Sequence, residues 1–203
     1  MKFKAKFIYL ISPNKIYNNF YRDLKSVLKS KKVSYFQLRL KRTQTSKILI
    51  ISKKIKKICE NYKVKFIIND NPIIAKKVNA DGCHLGQSDM KINKARKILK
   101  KKIIGITCNN SIRRAKVAIK NKADYIALGA FNLSKTKKVK YKATIEDLKK
   151  FRKLTNKSIV AIGGINQYNY KKLLLNKADF LAISNFIWKN KNFKPEEAIK
   201  KLK

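Results

Sequence analysis

Eight short apolar segments, spaced along the whole chain, restrict the possible folds of this sequence more than any other feature. The segments are Phe7–Ile11, Tyr35–Leu40, Lys65–Asn69, Gly82–Leu85, Ile103–Thr107, Tyr125–Gly129, Ser158–Ile162 and Phe180–Ser184. Each is nearly continuous in apolar residues, which is typical of strands in a parallel sheet that is covered on both faces.

The segments between these predicted strands have helical periodicity and are rich in lysine. The predicted helices include Tyr17–Ser30, Ser46–Asn61, Ser111–Lys120 and Thr144–Leu154. Strict alternation of strand and helix produces either an open doubly wound sheet or a closed barrel, and eight repeats favour the barrel. We therefore predict an α/β protein with a single (β/α)8 TIM barrel of eight parallel strands.

A similar turn precedes three of the predicted strands. An asparagine stands shortly before an Ala-Asp pair in the segments Asn79–Asp81, Asn121–Asp124 and Asn176–Asp179. The repetition of one helix-to-strand turn indicates repeating βα units. Since no linker or low-complexity stretch divides the chain, we predict one domain over residues 1–203.

The charge of the chain raises the question of a polyanionic partner. Lys and Arg number 52 and Asp and Glu 11 among 203 residues, which gives a net charge of +41. Such a bias normally suggests nucleic-acid binding. Here the lysines occur in every segment beside many Ile and Asn residues, which also have AT-rich codons, and the aromatic residues mostly lie within the apolar segments. We expect no specific nucleic-acid partner, although the positive field would attract anionic substrates.

Neither a membrane span nor an export signal is recognisable. No apolar stretch approaches the roughly 20 residues that a span requires, and the first residues run directly into a predicted strand. The three cysteines, Cys59, Cys83 and Cys108, have neither disulfide nor zinc-site spacing. We expect a cytoplasmic protein that has no membrane partner.

The second predicted strand ends in polar and basic residues. In a TIM barrel the functional residues lie at the C-terminal ends of the strands and in the loops that follow. Alternation along the strand places Gln37, Arg39 and Lys41 on one face. An amide followed by two cations could orient a ring and bind a polyphosphate, but an ordinary basic strand end is an alternative in a chain this rich in lysine.

Two carboxylates follow the next two predicted strands. Asp70 ends the third strand, and Asp89 lies in the turn after the fourth, in a chain that has 11 acidic residues. Two carboxylates at neighbouring strand ends can share Mg²⁺, which commonly binds one or two carboxylates together with substrate phosphate oxygens. Each residue also precedes a predicted helix, so helix capping is an equal alternative.

Possible phosphate-binding groups follow strands six to eight. The loop after strand six contains Ser134–Lys138, whose hydroxyls and amines suit phosphate oxygens but could also be a solvated charge run. Gly163 and Gly164 follow strand seven and Ser184 follows strand eight, where TIM barrels often bind phosphate. The single histidine, His84, has no apparent catalytic partner, so we interpret it as a packed core residue.

Taken together, these segments resemble the thiamine-phosphate synthase family. The matching segments are Gln37–Lys41, Ile67–Asp70, Ala80–Asp89, Ile104–Thr107, Ala123–Ile126, Ser134–Lys138 and Val160–Ile165. They follow the order of the family over nearly the whole chain, and Ala80–Asp89 is highly specific. The resemblance implies a transferase that joins hydroxymethylpyrimidine diphosphate to thiazole phosphate and gives thiamine monophosphate and pyrophosphate. In this family the pyrimidine–pyrophosphate bond breaks first, and the thiazole nitrogen captures the resulting cation.

The resemblance also implies a role for each matched residue. Asp70 and Asp89 would bind Mg²⁺, and the catalytic cations would be Arg39, Lys41 and Lys137. The implied substrate-binding residues are Gln37, Leu38, Arg39, Leu40, Lys41, Asn69, Thr107, Ser134, Lys135, Thr136, Lys137, Gly164, Ile183 and Ser184. Among them, Gln37 and Thr107 would seat the pyrimidine. The thiazole phosphate would be bound by Ser134, Thr136, Gly164, Ile183 and Ser184.

The chain departs from the family pattern in one loop above all. The loop after strand six begins Gly129-Ala130 where the family usually has Gly-Pro, and Val139 stands where an acidic residue is expected. One alternative is a thiazole tautomerase, although that family carries a catalytic His where this chain has Asn109. The other is a degenerate barrel that binds phosphates or nucleic acid without catalysis. The resemblance leaves a homo-oligomer open, either a dimer or a trimer.

Overall fold

The computed structural model describes residues 6–132 and 141–203. In these residues the strands are β1 (Ile8–Ile11), β2 (Val33–Leu38), β3 (Lys65–Asn69), β4 (Gly82–Leu85), β5 (Ile103–Asn109), β6 (Tyr125–Gly129), β7 (Ser158–Ile162) and β8 (Phe180–Ile183). The helices are α1 (Phe20–Leu28), α2 (Thr45–Asn61), α3 (Pro72–Lys77), α4 (Ile92–Leu99), α5 (Ile112–Lys120), α6 (Ile145–Leu154), α7 (Tyr170–Leu175), α8 (Asn185–Trp188) and α9 (Pro195–Lys200). None of these helices is long and apolar enough to cross a membrane.

The strands form a closed parallel barrel. They pair in sequence order from β1 to β8, and β8 pairs with β1 to close the ring. The predicted TIM barrel is therefore confirmed. The bounds of β2 differ from the prediction, since the strand starts two residues earlier and ends at Leu38 instead of Leu40. The hydroxyls of Ser111 and Thr144 cap α5 and α6, so these residues precede the helices instead of starting them.

Side-chain alternation divides the apolar residues into two cores. Outward-facing residues such as Ile8, Phe36 and Ile126 are fully buried between the barrel and its helices. Inward-facing residues fill the barrel, among them Tyr9 and Tyr125. The other buried residues of this interior core are Ile11, Ala127, Val160, Phe180 and Ala182. This alternation fixes which residues face the mouth of the barrel, because the inward face continues to the C-terminal strand ends.

The repeated Ala-Asp turn is a structural device at the opposite end of the barrel. The carboxylates of Asp81, Asp124 and Asp179 each accept a hydrogen bond of 2.8 Å from the backbone N–H of a strand residue, which is Phe66, Ile104 and Ile159 respectively. The residue two positions before each Asp has a positive φ, at Asn79, Lys122 and Lys177. The predicted repetition of βα units is thus present in three dimensions.

Arg96 of α4 joins one of these turns, that of Asp124, to the turn that precedes β5. Its guanidinium donates to the carbonyl oxygens of Lys100, Lys102 and Lys122 and to the carboxylate of Asp124, the last at 2.7 Å. We expect Arg96→Met to lower the stability of the fold by about 2 kcal/mol, because it leaves carbonyls and a carboxylate without their charged donor. The urea midpoint measures the loss, and Arg113→Met at an exposed position of α5 is the matched control, with an expected change within about 0.5 kcal/mol. Equal midpoints for the two variants would contradict this assignment.

Candidate active site

The end of β2 places an amide and a guanidinium at the mouth of the barrel. Gln37 is 2% exposed, and its Nε2 donates to Oδ1 of Asn69 at 2.7 Å. The backbone N–H of Arg39 donates to Oγ of Ser12 at 2.9 Å, and its guanidinium donates to Oδ1 of Asn14 at 3.1 Å. Both the backbone and the guanidinium of Arg39 are therefore held in place, next to Gln37 on β2 and Asn69 on β3.

The other residues of the Gln37–Lys41 segment divide by the direction of their side chains. Lys41 is exposed. Leu38 is buried, and Leu40 packs partly buried, both against the outer core between the barrel and the helices. Contacts of Leu38 with a substrate are therefore limited to its backbone atoms, whereas part of the Leu40 side chain stays exposed.

Asp70 and Asp89 lie together at the ends of β3 and β4. Asp70 has a φ of 65°, a conformation that Asp tolerates better than most residues, and its backbone N–H donates to the carbonyl of His84 at 2.7 Å. Burial and a hydrogen bond with the Asp89 carboxyl raise the pKa of Asp70 to about 6, while Arg39 and Lys41 oppose that rise. Two carboxyl groups this close favour either a shared proton or a shared cation.

Neither carboxylate caps the helix that follows it. Asn71 caps α3, since its Oδ1 accepts hydrogen bonds of 3.0 Å from the backbone N–H groups of Ile73 and Ile74. At the next turn, Oδ2 of Asp89 accepts from the backbone N–H of Gly86 at 2.6 Å, and α4 begins only at Ile92. The capping alternative for Asp70 and Asp89 is therefore wrong, and both carboxyl groups keep oxygens for a ligand.

A chain of hydrogen-bonding side chains crosses the barrel interior below this site. The hydroxyls of Tyr9 and Tyr125 lie 2.7 Å apart, and the Tyr125 hydroxyl lies 2.9 Å from Nδ1 of His84. Nε2 of His84 lies 2.8 Å from Oγ1 of Thr107. Burial lowers the pKa of His84 to about 4, so its ring is neutral near pH 7. Thr107 is further held through its carbonyl, which accepts from the side chain of Gln87.

The sequence analysis did not predict this series of hydrogen-bonded side chains, because its residues are far apart in sequence. Only Thr107 was expected at the site, and His84 was interpreted as packing. One local signal was available at Gly105, where an added Cβ would lie 1.8 Å from Cζ of Tyr125. The glycine leaves the space that the Tyr125 ring occupies, and that ring stacks on His84 with an interplanar angle of 18°.

The predicted phosphate-binding residues lie at the ends of the neighbouring strands β7 and β8. Gly163 and Gly164 have φ values of 108° and 57°, which glycine adopts readily. The hydroxyl of Ser184 donates to the carbonyl of Ser12 at 3.2 Å, and the side chain of Ile183 is buried in the outer core. Ile183 therefore presents backbone atoms to the mouth. Ser134, Lys135, Thr136 and Lys137 lie outside the described residues.

Comparisons with known proteins agree with one another over nearly the whole chain. The family model described as thiamine monophosphate synthase matches residues 8–187. The thiamine-phosphate synthase of Pelagibacter ubique is 65% identical over 203 residues, which are 100% of this chain and 98% of that protein. That of Clostridium acetobutylicum is 37% identical over 179 residues, with 87% and 84% covered. The structure of thiamine phosphate pyrophosphorylase from Pyrococcus furiosus superposes with a TM-score of 0.86 at 26% identity, and 98% of this chain and 93% of that chain are covered.

Proposed function

The chain belongs to the thiamine monophosphate synthase family, and on that basis we propose that it joins hydroxymethylpyrimidine diphosphate to thiazole phosphate by a dissociative, Mg²⁺-assisted reaction. As a thiamine-phosphate synthase it is a transferase of thiamine biosynthesis. The proposal assigns the reaction to one domain over residues 1–203. The observation that carries it is the pair Asp70 and Asp89, which stands beside Arg39 at the barrel mouth.

The donor set at this pair fits Mg²⁺. Carboxylate oxygens are hard ligands, and Mg²⁺ typically takes one or two of them while substrate phosphates and water complete its shell. The raised pKa of Asp70 indicates that the charges of Arg39 and Lys41 do not fully offset its burial and the neighbouring carboxyl of Asp89. When bound by Asp70 and Asp89, Mg²⁺ would neutralise part of the diphosphate charge and stabilise pyrophosphate as the leaving group.

The basic residues serve the same bond cleavage. As the bond between the pyrimidine methylene carbon and the diphosphate oxygen opens, negative charge accumulates on the departing pyrophosphate. Arg39, Lys41 and Lys137 would bind that charge, and Asn69 would donate to the same oxygens. Because Arg39 is already oriented by Asn14 and Ser12, it needs little rearrangement in the transition state.

The remaining residues would hold the two organic halves. Gln37 and Thr107 would orient the pyrimidine so that the thiazole nitrogen approaches the methylene carbon. The thiazole phosphate would be bound by Ser134, Thr136, Gly164, Ile183 and Ser184, with Lys135 alongside. No general base is required, since the thiazole nitrogen attacks with a lone pair.

The pH dependence of Mg²⁺ binding tests the acidic pair. The pKa of Asp70 rises from 3.8 to about 6 in the folded protein. Protonated Asp70 therefore stabilises the folded state fully below about pH 4, and this contribution to the folding free energy is lost as the pH rises through 6. Mg²⁺ must displace the same proton. We expect its Kd to increase about tenfold per pH unit below pH 6 and to be flat above pH 7, measured by titration calorimetry. Asp70→Asn should abolish this dependence, and an unchanged slope would contradict it.

Complementation tests the proposed reaction in a cell. We expect the gene to restore growth without thiamine in a bacterium that lacks its own thiamine-phosphate synthase, and to fail in one that lacks only thiazole tautomerase. The reverse result would favour the tautomerase alternative. Failure in both strains, with the protein folded and abundant, would favour the degenerate phosphate-binding barrel.

A further inference from the structure

The hydrogen-bond chain inside the barrel has a definite direction. Tyr9 is 2% exposed, and within the described residues Tyr125 is the one hydrogen-bond partner of its hydroxyl. If Tyr125 donated to Tyr9, the proton of the Tyr9 hydroxyl would be buried without an acceptor. An unpaired buried donor costs more than a partly used acceptor oxygen. The Tyr9 hydroxyl therefore donates to Tyr125.

That first bond determines every later one. The Tyr125 hydroxyl accepts from Tyr9, so its own proton goes to Nδ1 of His84 at 2.9 Å. An imidazole whose Nδ1 accepts a hydrogen bond has no proton on that atom and carries its one proton on Nε2. Nε2–H then donates to Oγ1 of Thr107 at 2.8 Å. Thr107 is left with a hydroxyl proton that must point away from His84, and the inward face of β5 directs it to the barrel mouth.

We propose that Tyr9, Tyr125 and His84 are positioning residues which make Thr107 an obligatory hydrogen-bond donor to the pyrimidine substrate. Were the chain reversed, Thr107 would give its proton to His84 and offer only lone pairs. The site therefore selects a substrate with an acceptor atom above Thr107, either a ring nitrogen or a diphosphate oxygen. This inference rests on the proposed function for the identity of the substrate, but the proton order stands on the hydrogen bonds alone.

The sequence makes the proton order directly measurable. His84 is the only histidine among the 203 residues, so the untagged protein labelled with [¹⁵N]histidine has two side-chain nitrogen signals. We expect a long-range ¹H–¹⁵N spectrum at pH 7.5 to show a protonated Nε2 and an unprotonated Nδ1. A protonated Nδ1 would overturn the inference. Because the spectrum needs no substrate, it decides the proton order even if the protein has no synthase activity.

Enzyme kinetics tests whether the hydrogen-bond chain of Tyr9, Tyr125 and His84 acts through Thr107. We expect Thr107→Val, which keeps the shape and removes the hydroxyl, to lower kcat/KM for the pyrimidine substrate about tenfold. A rise in KM alone would indicate a ring nitrogen, bound equally in the ground state. A fall in kcat would indicate a diphosphate oxygen, whose charge grows in the transition state. Full activity of Thr107→Val would refute the donor role.

A double-mutant cycle separates positioning from general structural support. Tyr125→Phe should lower kcat/KM several-fold alone and add nothing to Thr107→Val, because both break the same chain. His84→Gln, which can still donate near Nε2, should retain more activity than His84→Leu. Tyr35→Phe is the matched control: Tyr35 stacks on Tyr9 at 5.3 Å, outside the hydrogen-bond chain, and should stay within twofold of wild type. Multiplying losses in the Tyr125–Thr107 cycle would overturn the positioning role.

Discussion

Asp89→Asn is expected to lower kcat/KM about 1000-fold, the equivalent of about 4 kcal/mol in transition-state free energy. The amide oxygen of asparagine can still accept from the backbone N–H of Gly86, so the turn after β4 keeps its hydrogen bond. The lost charge removes one of the two carboxylates that we propose for Mg²⁺. Initial rates of thiamine monophosphate formation at increasing Mg²⁺ concentrations measure the effect.

The control for this variant is Glu146→Gln, which removes the same charge at an exposed position on α6. It should leave both the rate and the Mg²⁺ response within twofold of wild type, although it loses the surface pair with Lys149. If Asp89→Asn kept its rate within fivefold and its Mg²⁺ response unchanged, the acidic pair would not be the metal site.

Arg39→Gln is expected to lower kcat by about 100- to 1000-fold with a smaller change in KM. The glutamine can still donate one hydrogen bond, but it has no charge to stabilise the departing pyrophosphate, and such donors act mainly in the transition state. Steady-state kinetics with the pyrimidine diphosphate varied at saturating thiazole phosphate separates kcat from KM.

Arg42→Gln is the matched control, because it removes the same charge three residues further along the same exposed loop. In a chain of net charge +41, the loss of one remote cation should change the rate less than twofold. Equal losses in Arg39→Gln and Arg42→Gln would mean that the general positive field, and not the oriented guanidinium, serves the reaction.

The barrel was predictable because its periodicity is local. The predicted bounds of Lys65–Asn69, Gly82–Leu85 and Tyr125–Gly129 coincide with β3, β4 and β6, where apolar runs end at polar or turn residues. The segment at β2 was less well predicted, since Leu40 prolongs the apolar pattern beyond the last paired residue, Leu38. Strand pairing, which sequence does not display, decides where such a strand ends.

For the acidic pair, the sequence left two roles open, metal binding and helix capping. Sequence places Asp70 and Asp89 before helices, and capping residues are commonly Asp or Asn. The structure excludes the capping alternative, since Asn71 supplies the cap of α3 and the backbone N–H of Gly86 donates to one oxygen of Asp89. The distinction depends on a difference of one residue at α3 and two residues at α4 in where the helix starts, which residue types alone do not give.

The interior chain was not predictable in the same way. Its contacts join residues 116, 41 and 23 positions apart, so no local pattern places Tyr9, Tyr125, His84 and Thr107 together. Barrel closure does so, because it brings inward-facing side chains from distant strands into one interior. The one local sign of this arrangement in the sequence is Gly105, which has no side chain to collide with the ring of Tyr125.

The most direct measurement is product formation by the purified protein with both substrates, with and without Mg²⁺. The account predicts thiamine monophosphate and pyrophosphate in equal amounts, with no product when either substrate or Mg²⁺ is omitted. Absence of thiamine monophosphate from the folded protein at saturating substrates and Mg²⁺, or full activity in the presence of a chelator, would contradict it.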